Sequence, residues 1–125
     1  MQKLEINNTI FENIKHIDEF GVEYWSAREL MKVLEYKKWE KFNNVISNAK
    51  ISCVKSNNNI LYHFPQVGKM IKLAKGAQRN IVDYHLSRYA CYLIIQNCDP
   101  RKYVVALGQT YFAIQTRKIE GDKIC

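Results

Sequence analysis

The sequence predicts an α+β domain, mainly helical, with two short β-hairpins and a helix-turn-helix-like core. Three observations predict it. Apolar residues recur at three- and four-residue spacing around residues 27–34, 38–49, 88–96 and 100–118. Two pairs of short β-prone runs each flank a glycine-bearing turn. The chain of 125 residues suffices for one core and has no repeat, low-complexity run or linker to divide it, so residues 1–125 are read as one domain.

Residues 1–9 are polar and expected to be loose. Ile14–Ile17 and Val22–Trp25 flank a turn at Glu19–Gly21, where Gly21 admits positive φ, so a first hairpin is expected there. Ser26-Ala-Arg-Glu29 is an S-x-x-E capping box. Its serine accepts from the amide of residue 29, and Glu29 reaches back to the amide of Ser26. A helix follows from Ala27 to about Leu34, with Ala27, Leu30, Met31 and Leu34 as its apolar stripe. Glu35-Tyr36-Lys37 links it to a second helix from about Lys38, whose Trp39, Phe42, Val45, Ile46 and Ala49 share one face. Two helices so joined have a helix-turn-helix arrangement, which reads DNA in some proteins and only packs a core in most.

Ser56–Asn59 is a polar loop, and Ile60–Phe64 reads as a strand stopped by Pro65. Lys69–Leu73 and Asn80–Leu86 form a second hairpin across Ala74–Gln78. A basic hairpin projecting from a helical body has the shape of a DNA wing, and equally of an ordinary surface hairpin. Ser87 caps a third helix from Arg88 to about Gln96, which buries Tyr89, Ala90, Leu93 and Ile94. Asp99 and Pro100 supply an N-cap and a first helical residue, so the last helix is expected from Pro100 to about Lys118. Its Gly108 costs about 1 kcal/mol against alanine, which places it where another backbone packs close. Residues 119–125 read as a frayed tail.

The net charge is +7, and its distribution is uneven. Residues 1–35 carry seven acids against four bases, while residues 36–125 carry fifteen bases against five acids. No acid occurs between Glu40 and Asp83. A field of one sign attracts polyanions through counterion release, although basic patches also serve only as solvated faces. By charge, the candidate DNA contacts are Arg28, Lys37, Lys38, Lys41, Lys72, Lys75 and Arg79. Tyr36, Tyr84 and Tyr103 are surface candidates among the aromatics, whereas Trp25, Trp39, Phe42, Tyr111 and Phe112 fall on buried faces. Tyr103, Gln109, Gln115 and Arg117 on the last helix are candidate protein-interaction residues. That helix is apolar around much of its circumference, which makes a homodimer plausible. Arg88 reads as a structural tie to Asp83 or Asp99.

Other chemistry lacks its motifs. There is no G-x-S-x-G, no GxxxxGK[ST] and no GxGxxG. Close carboxylates occur only at Asp18-Glu19 and Glu120–Asp122, in expected turns or tails. Cys53, Cys91, Cys98 and Cys125 form no zinc-type pair, and His16, His63 and His85 stand in no ligand register, so neither a metal nor another cofactor is expected. Reduced thiols and a cytoplasmic, non-enzymatic protein are the expectation. The start, MQKLEINNTIFE, has acids and amides where a signal peptide has an apolar run, and no stretch approaches the roughly 20 apolar residues of a membrane span.

From Asp83 the sequence reads DYHLSRYACYLIIQNCDPRKYVVALGQTYFAIQTR. This stretch resembles the DNA-damage-inducible protein D (DinD) family, whose relatives are phage antirepressor-type proteins with a BRO-N-like N-terminal domain. Glu23-Tyr-Trp-Ser-Ala-Arg28, then Leu34, Tyr36, Trp39 and Phe42, then His63-Phe64 and Lys69-Met70, agree with it. The resemblance covers about residues 11–118. Glu35 stands where the family usually has a glycine, so the turn between the first two helices is expected to differ. The resemblance also implies a longer chain beyond Thr116-Arg117, so this one is expected to be a trimmed, truncated or minimal form. It implies a regulator in the DNA-damage (SOS) response or its phage control, acting on DNA or on a DNA-bound repressor or recombinase. It implies no cofactor and no catalytic residue.

Overall fold

Both hairpins form, and they join into one sheet. The structure, a computed structural model, describes residues 10–124, with side chains over residues 10–113. β1 (Lys15–Ile17) pairs antiparallel with β2 (Glu23–Ser26), and Gly21 takes φ +81° in the turn between them. β3 (Gln66–Lys72) pairs antiparallel with β4 (Gln78–Leu86) along its whole length. β2 and β4 pair through Trp25–Leu86 and Ser26–His85, which gives the order β1-β2-β4-β3. The α+β class predicted from the sequence is the class observed.

Besides a helical turn at residues 10–12 and a 3-10 turn at Ala74–Gly76, the described helices are α1 (Ala27–Val33), α2 (Trp39–Lys55), α3 (Ile60–His63), α4 (Arg88–Gln96) and α5 (Tyr103–Ile124). Ser26 caps α1 as its motif predicts, with Oγ accepting from the Glu29 amide at 3.3 Å. The Glu29 carboxylate does not reach back; it meets His16 Nε2 at 2.5 Å. Ser87 caps α4 in the same way, through the Ala90 amide. α1 and α2 both end in a Schellman motif. The Tyr36 amide donates to Met31 O and the Glu35 amide to Lys32 O, with Glu35 left-handed at φ 65°. Asn57, at φ 62°, repeats the pattern after α2. The turn after α1 therefore keeps the left-handed geometry expected of a glycine, although its residue is Glu35.

Three local expectations are corrected. Residues 60–63 are helical, because the Asn59 side chain accepts from the Leu61 and Tyr62 amides; Pro65 precedes a strand rather than ending one. The last helix starts at Tyr103, because Asp99 Oδ1 accepts from the Arg101 amide and closes a turn instead of capping a helix at Pro100. It runs on to Ile124, where a frayed tail was expected. Residues 1–9 lie outside the described part.

The core lies between the sheet and α1, α2, α4 and α5. Trp25 is fully buried and donates from Nε1 to Phe11 O at 3.0 Å. Phe112 meets both the Trp25 and Phe11 rings edge-on at 5.2 Å between centroids. α5 packs on α4 at Gly108, where an added Cβ would stand 2.8 Å from Ile95 Cδ1 and 2.9 Å from Phe11 Cζ. The backbone expected close to Gly108 is not what meets it; the side chains of Ile95 and Phe11 are. No helix among the described residues is long and apolar enough to cross a membrane.

Candidate nucleic-acid interface

β2 pairs with β4 only near its end, at His85 and Leu86. The rest of the β3–β4 ladder pairs with itself and extends as a two-stranded arm. Residues 72–80 are all exposed. At the tip the Leu73 amide donates to Ala77 O at 2.7 Å, and consecutive residues Lys75 and Gly76 take φ 64° and 78°. Lys72 lies opposite Gln78 and Arg79 opposite Ile71. Side chains alternate along a strand, so Arg79 and Lys69 share one face of the arm and Lys72 points from the other. Three of the predicted basic residues, Lys72, Lys75 and Arg79, therefore come together at one end of the molecule.

Lys37, Lys38 and Lys41 are exposed at the start of α2, where Lys38 occupies the N-cap position without a side-chain cap. Among the described residues the ion pairs are Lys15–Glu12, Arg88–Glu23 and Arg101–Asp99, and His16 meets Glu29. None of them neutralises Lys37, Lys38, Lys41, Lys69, Lys72, Lys75 or Arg79.

Arg28 links the two basic regions. Its guanidinium lies 3.8 Å over the Trp39 ring at the start of α2, and Nε donates to Val82 O in the arm at 2.8 Å. Burial lowers its pKa, the Asp83 charge raises it, and the nearby Arg79 charge lowers it. Trp39 is half-buried and stacks toward Tyr84. Tyr84, expected at the surface, is buried on the core side of β4, where its hydroxyl accepts from Lys50 Nζ at 2.9 Å. Tyr36 is half-buried under Lys102 Nζ, 4.4 Å from its ring centroid.

Asp83 fixes this assembly. It is buried, and its carboxylate accepts from Ser26 Oγ at 2.6 Å, from the Arg28 amide at 3.0 Å and from its neighbour's amide, Tyr84 N, at 2.8 Å. Arg88 is structural as expected, but its partner is Glu23, by two bonds of 2.7 and 2.8 Å, and neither Asp83 nor Asp99. Asp83 is held by the start of α1 and Asp99 by Arg101.

The opposite row of the sheet forms a trough of about 450 Å³. His16, Tyr24 and His85 stack across β1, β2 and β4, with centroids 5.2 and 4.1 Å apart. Ser26, Glu29, Val67, Gly68, Lys69, Met70 and Asp83 complete the walls, the Asp83 carboxylate being taken up by Ser26 and the Arg28 amide. No local pattern in the sequence singles out these rings as a group. Alternation with the buried Trp25, Tyr84 and Leu86 puts Tyr24 and His85 on one outer face, but their convergence needs the β2–β4 pairing.

Of the candidate protein contacts, Tyr103 is 65 % exposed and Gln109 is half-buried; the side chains of Gln115 and Arg117 lie outside the described part. Burial pushes the thiols of Cys53, Cys91 and Cys98 up, that of Cys91 well above the ordinary value. Among the described residues no three of His, Cys, Asp and Glu gather as metal ligands would.

Comparison with known proteins gives two matches. The family described as BRO family, N-terminal domain, matches residues 13–113. The DNA damage-inducible protein D of Escherichia coli (strain K12) is 50% identical over 110 residues, which cover 88% of this chain and 40% of that protein. The chain thus spans well under half the length of that relative. No solved structure matches. The chain belongs to the BRO family, whose N-terminal domain accounts for most of its length.

Proposed function

We propose that the chain is a DNA-binding regulatory protein of antirepressor and DNA-damage-response type, acting without catalysis. The observation that carries this reading is the basic arm. Lys72, Lys75 and Arg79 crowd one exposed tip with no carboxylate partner among the described residues. A phosphate backbone supplies the anions, and counterion release makes the affinity fall with salt. Arg28, Lys37, Lys38 and Lys41 extend the surface toward α2, whose N-terminal dipole adds to it. Membership in the BRO family and the relative named for DNA damage support the regulatory role. Protonated, buried thiols are poor nucleophiles, which supports a non-catalytic reading.

The test is fluorescence anisotropy on labelled single- and double-stranded DNA across a salt series. Changing Lys72, Lys75 and Arg79 to Gln should reduce the slope of log K against log salt on duplex by about 2.7, at about 0.9 per lost phosphate contact. Changing all three to Glu should abolish binding. Absence of binding by the unaltered chain at low salt would overturn the reading. A second reading rests on Tyr103, 65 % exposed at the start of α5. Here the chain docks on a repressor, a recombinase or a second copy of itself. It predicts weak salt dependence, and a complex that survives removal of DNA and fails in Tyr103→Ala.

A further inference from the structure

The trough on the outer sheet face holds three aromatic rings that the basic arm does not use. His16 on β1, Tyr24 on β2 and His85 on β4 form one column along the sheet order. Their planes lie within 17° and 24° of parallel. The column ends at His85. The next strand, β3, supplies Val67, Gly68 and Lys69 to the trough and no ring. The ring column and Lys69, which lies opposite Ile81 and four residues along β4 from His85, thus line one concavity of about 450 Å³. Glu29 stands on the far wall. Its Oε1 is engaged by His16, and no described hydrogen bond uses its Oε2.

These groups match the parts of one ligand. A nucleobase has a flat face that stacks on an aromatic ring whatever its sequence. Its phosphate is an anion that a lysine can pair with. Paired bases present no free face, so the base must be unpaired. We infer that the trough binds an unpaired nucleobase, which extends the His16–Tyr24–His85 column beyond His85 with its phosphate toward Lys69. The base belongs to single-stranded DNA or to a free nucleotide. This inference rests on the DNA-binding reading for its biological source, but the site itself is separate from the arm tip.

Three strands separate the possibilities: a cytosine-containing single strand, the same strand with abasic sugars in place of its bases, and the matched duplex. The full chain should bind the base-bearing strand at least about fivefold more tightly than the abasic one. His85→Ala should remove that ratio and leave duplex affinity unchanged, whereas the arm variants should weaken all three strands together. Equal affinity for the base-bearing and abasic strands would overturn the inference, and so would a loss in His85→Ala that is the same on the duplex. A measurement on the unaltered chain covers the case in which the variant misfolds or no strand binds. Titration with deoxycytidine monophosphate should move the imidazole NMR signal of His85 and leave that of His63 in place. If both stay in place, no base enters the trough. If that of His85 moves while no strand binds, the trough is a nucleotide site and only the DNA-binding reading fails.

Discussion

Replacing Glu35 with glycine should stabilise the protein. Glu35 occupies the C′ position of the Schellman motif that ends α1, at φ 65°. A side chain there brings Cβ against the following carbonyl, at a cost of about 1–2 kcal/mol. Glycine removes that clash but loses about 0.4–1 kcal/mol through its freer unfolded chain. The motif's hydrogen bonds, from the Glu35 amide to Lys32 O and from the Tyr36 amide to Met31 O, are backbone bonds and survive the change. So does the contact of Lys102 Nζ with the carbonyl of residue 35, at 3.4 Å. The Glu35 side chain is exposed and makes no ion pair among the described residues, so its removal breaks no described contact. The net gain should be about 0.5–1 kcal/mol, a rise in Tm of roughly 2–6 °C for a chain of this size. Urea denaturation followed by circular dichroism reads it directly. Glu35→Ala is the control, because it removes the same charge and keeps Cβ; it should stay within about 0.5 kcal/mol of the natural chain. If the glycine variant is no more stable than the alanine variant, the left-handed strain assigned to residue 35 is wrong.

Three further outcomes are expected. Glu23→Gln should destabilise by about 2–4 kcal/mol, because it leaves the buried Arg88 charge uncompensated while the Glu23 side chain is itself 28% exposed; thermal unfolding checks it. Gly108→Ala should destabilise despite alanine's better helix propensity, since crowding Ile95 and Phe11 costs about 1–3 kcal/mol against a propensity gain of about 1 kcal/mol; a more stable variant would show that α4 and α5 can part freely. Burial and the hydrogen bond from Tyr111 to Glu12 hold the Tyr111 phenol up at about 12, and burial and Cys98 hold Tyr36 there as well. Raised folded-state values favour the neutral phenols. Their contribution to stability is present below the ordinary value of 10 and is lost as pH rises from there through about 12. An ultraviolet titration should show these two ionising only near pH 12, and urea denaturation between pH 10 and 12 should show stability falling.

Much of the fold was legible because its signals are local. Ser26 and Ser87 lie one residue before apolar periodicity and cap helices as such serines do. Gly21 and Gly76 mark the two turns, and the basic arm follows from the run of bases between Glu40 and Asp83. The misread segments are those where two local signals compete. Ile60–Phe64 has strand composition, but Asn59 can start a helical turn, and the amides of Leu61 and Tyr62 decide it. Asp99-Pro100 has the chemistry of a helix start and also of an Asx-type turn, which Arg101 completes. Long-range partners were not legible. The partner of Arg88 lies 65 residues away at Glu23, and nothing in the spacing prefers it to the nearer Asp83. Tyr84 was misplaced because burial in β4 depends on α2 lying over that side of the sheet. The ring column was missed because no local pattern pairs residues 25 and 86.

The bond from Ser26 to Asp83 spans 57 residues, and it sets an order of events during synthesis. α1 leaves the ribosome early, but the carboxylate that receives Ser26 Oγ and the Arg28 amide lies in a strand made much later. Closing a loop of that length costs about 3.6 kcal/mol of chain entropy plus a constant. The first half of the nascent chain must therefore wait, with the edge of β2 open, until residues 83–86 emerge. A ribosome pause before that point would leave Trp25 paired with β1 but without its β4 partner, Leu86, in a chain held ready for a chaperone or for aggregation.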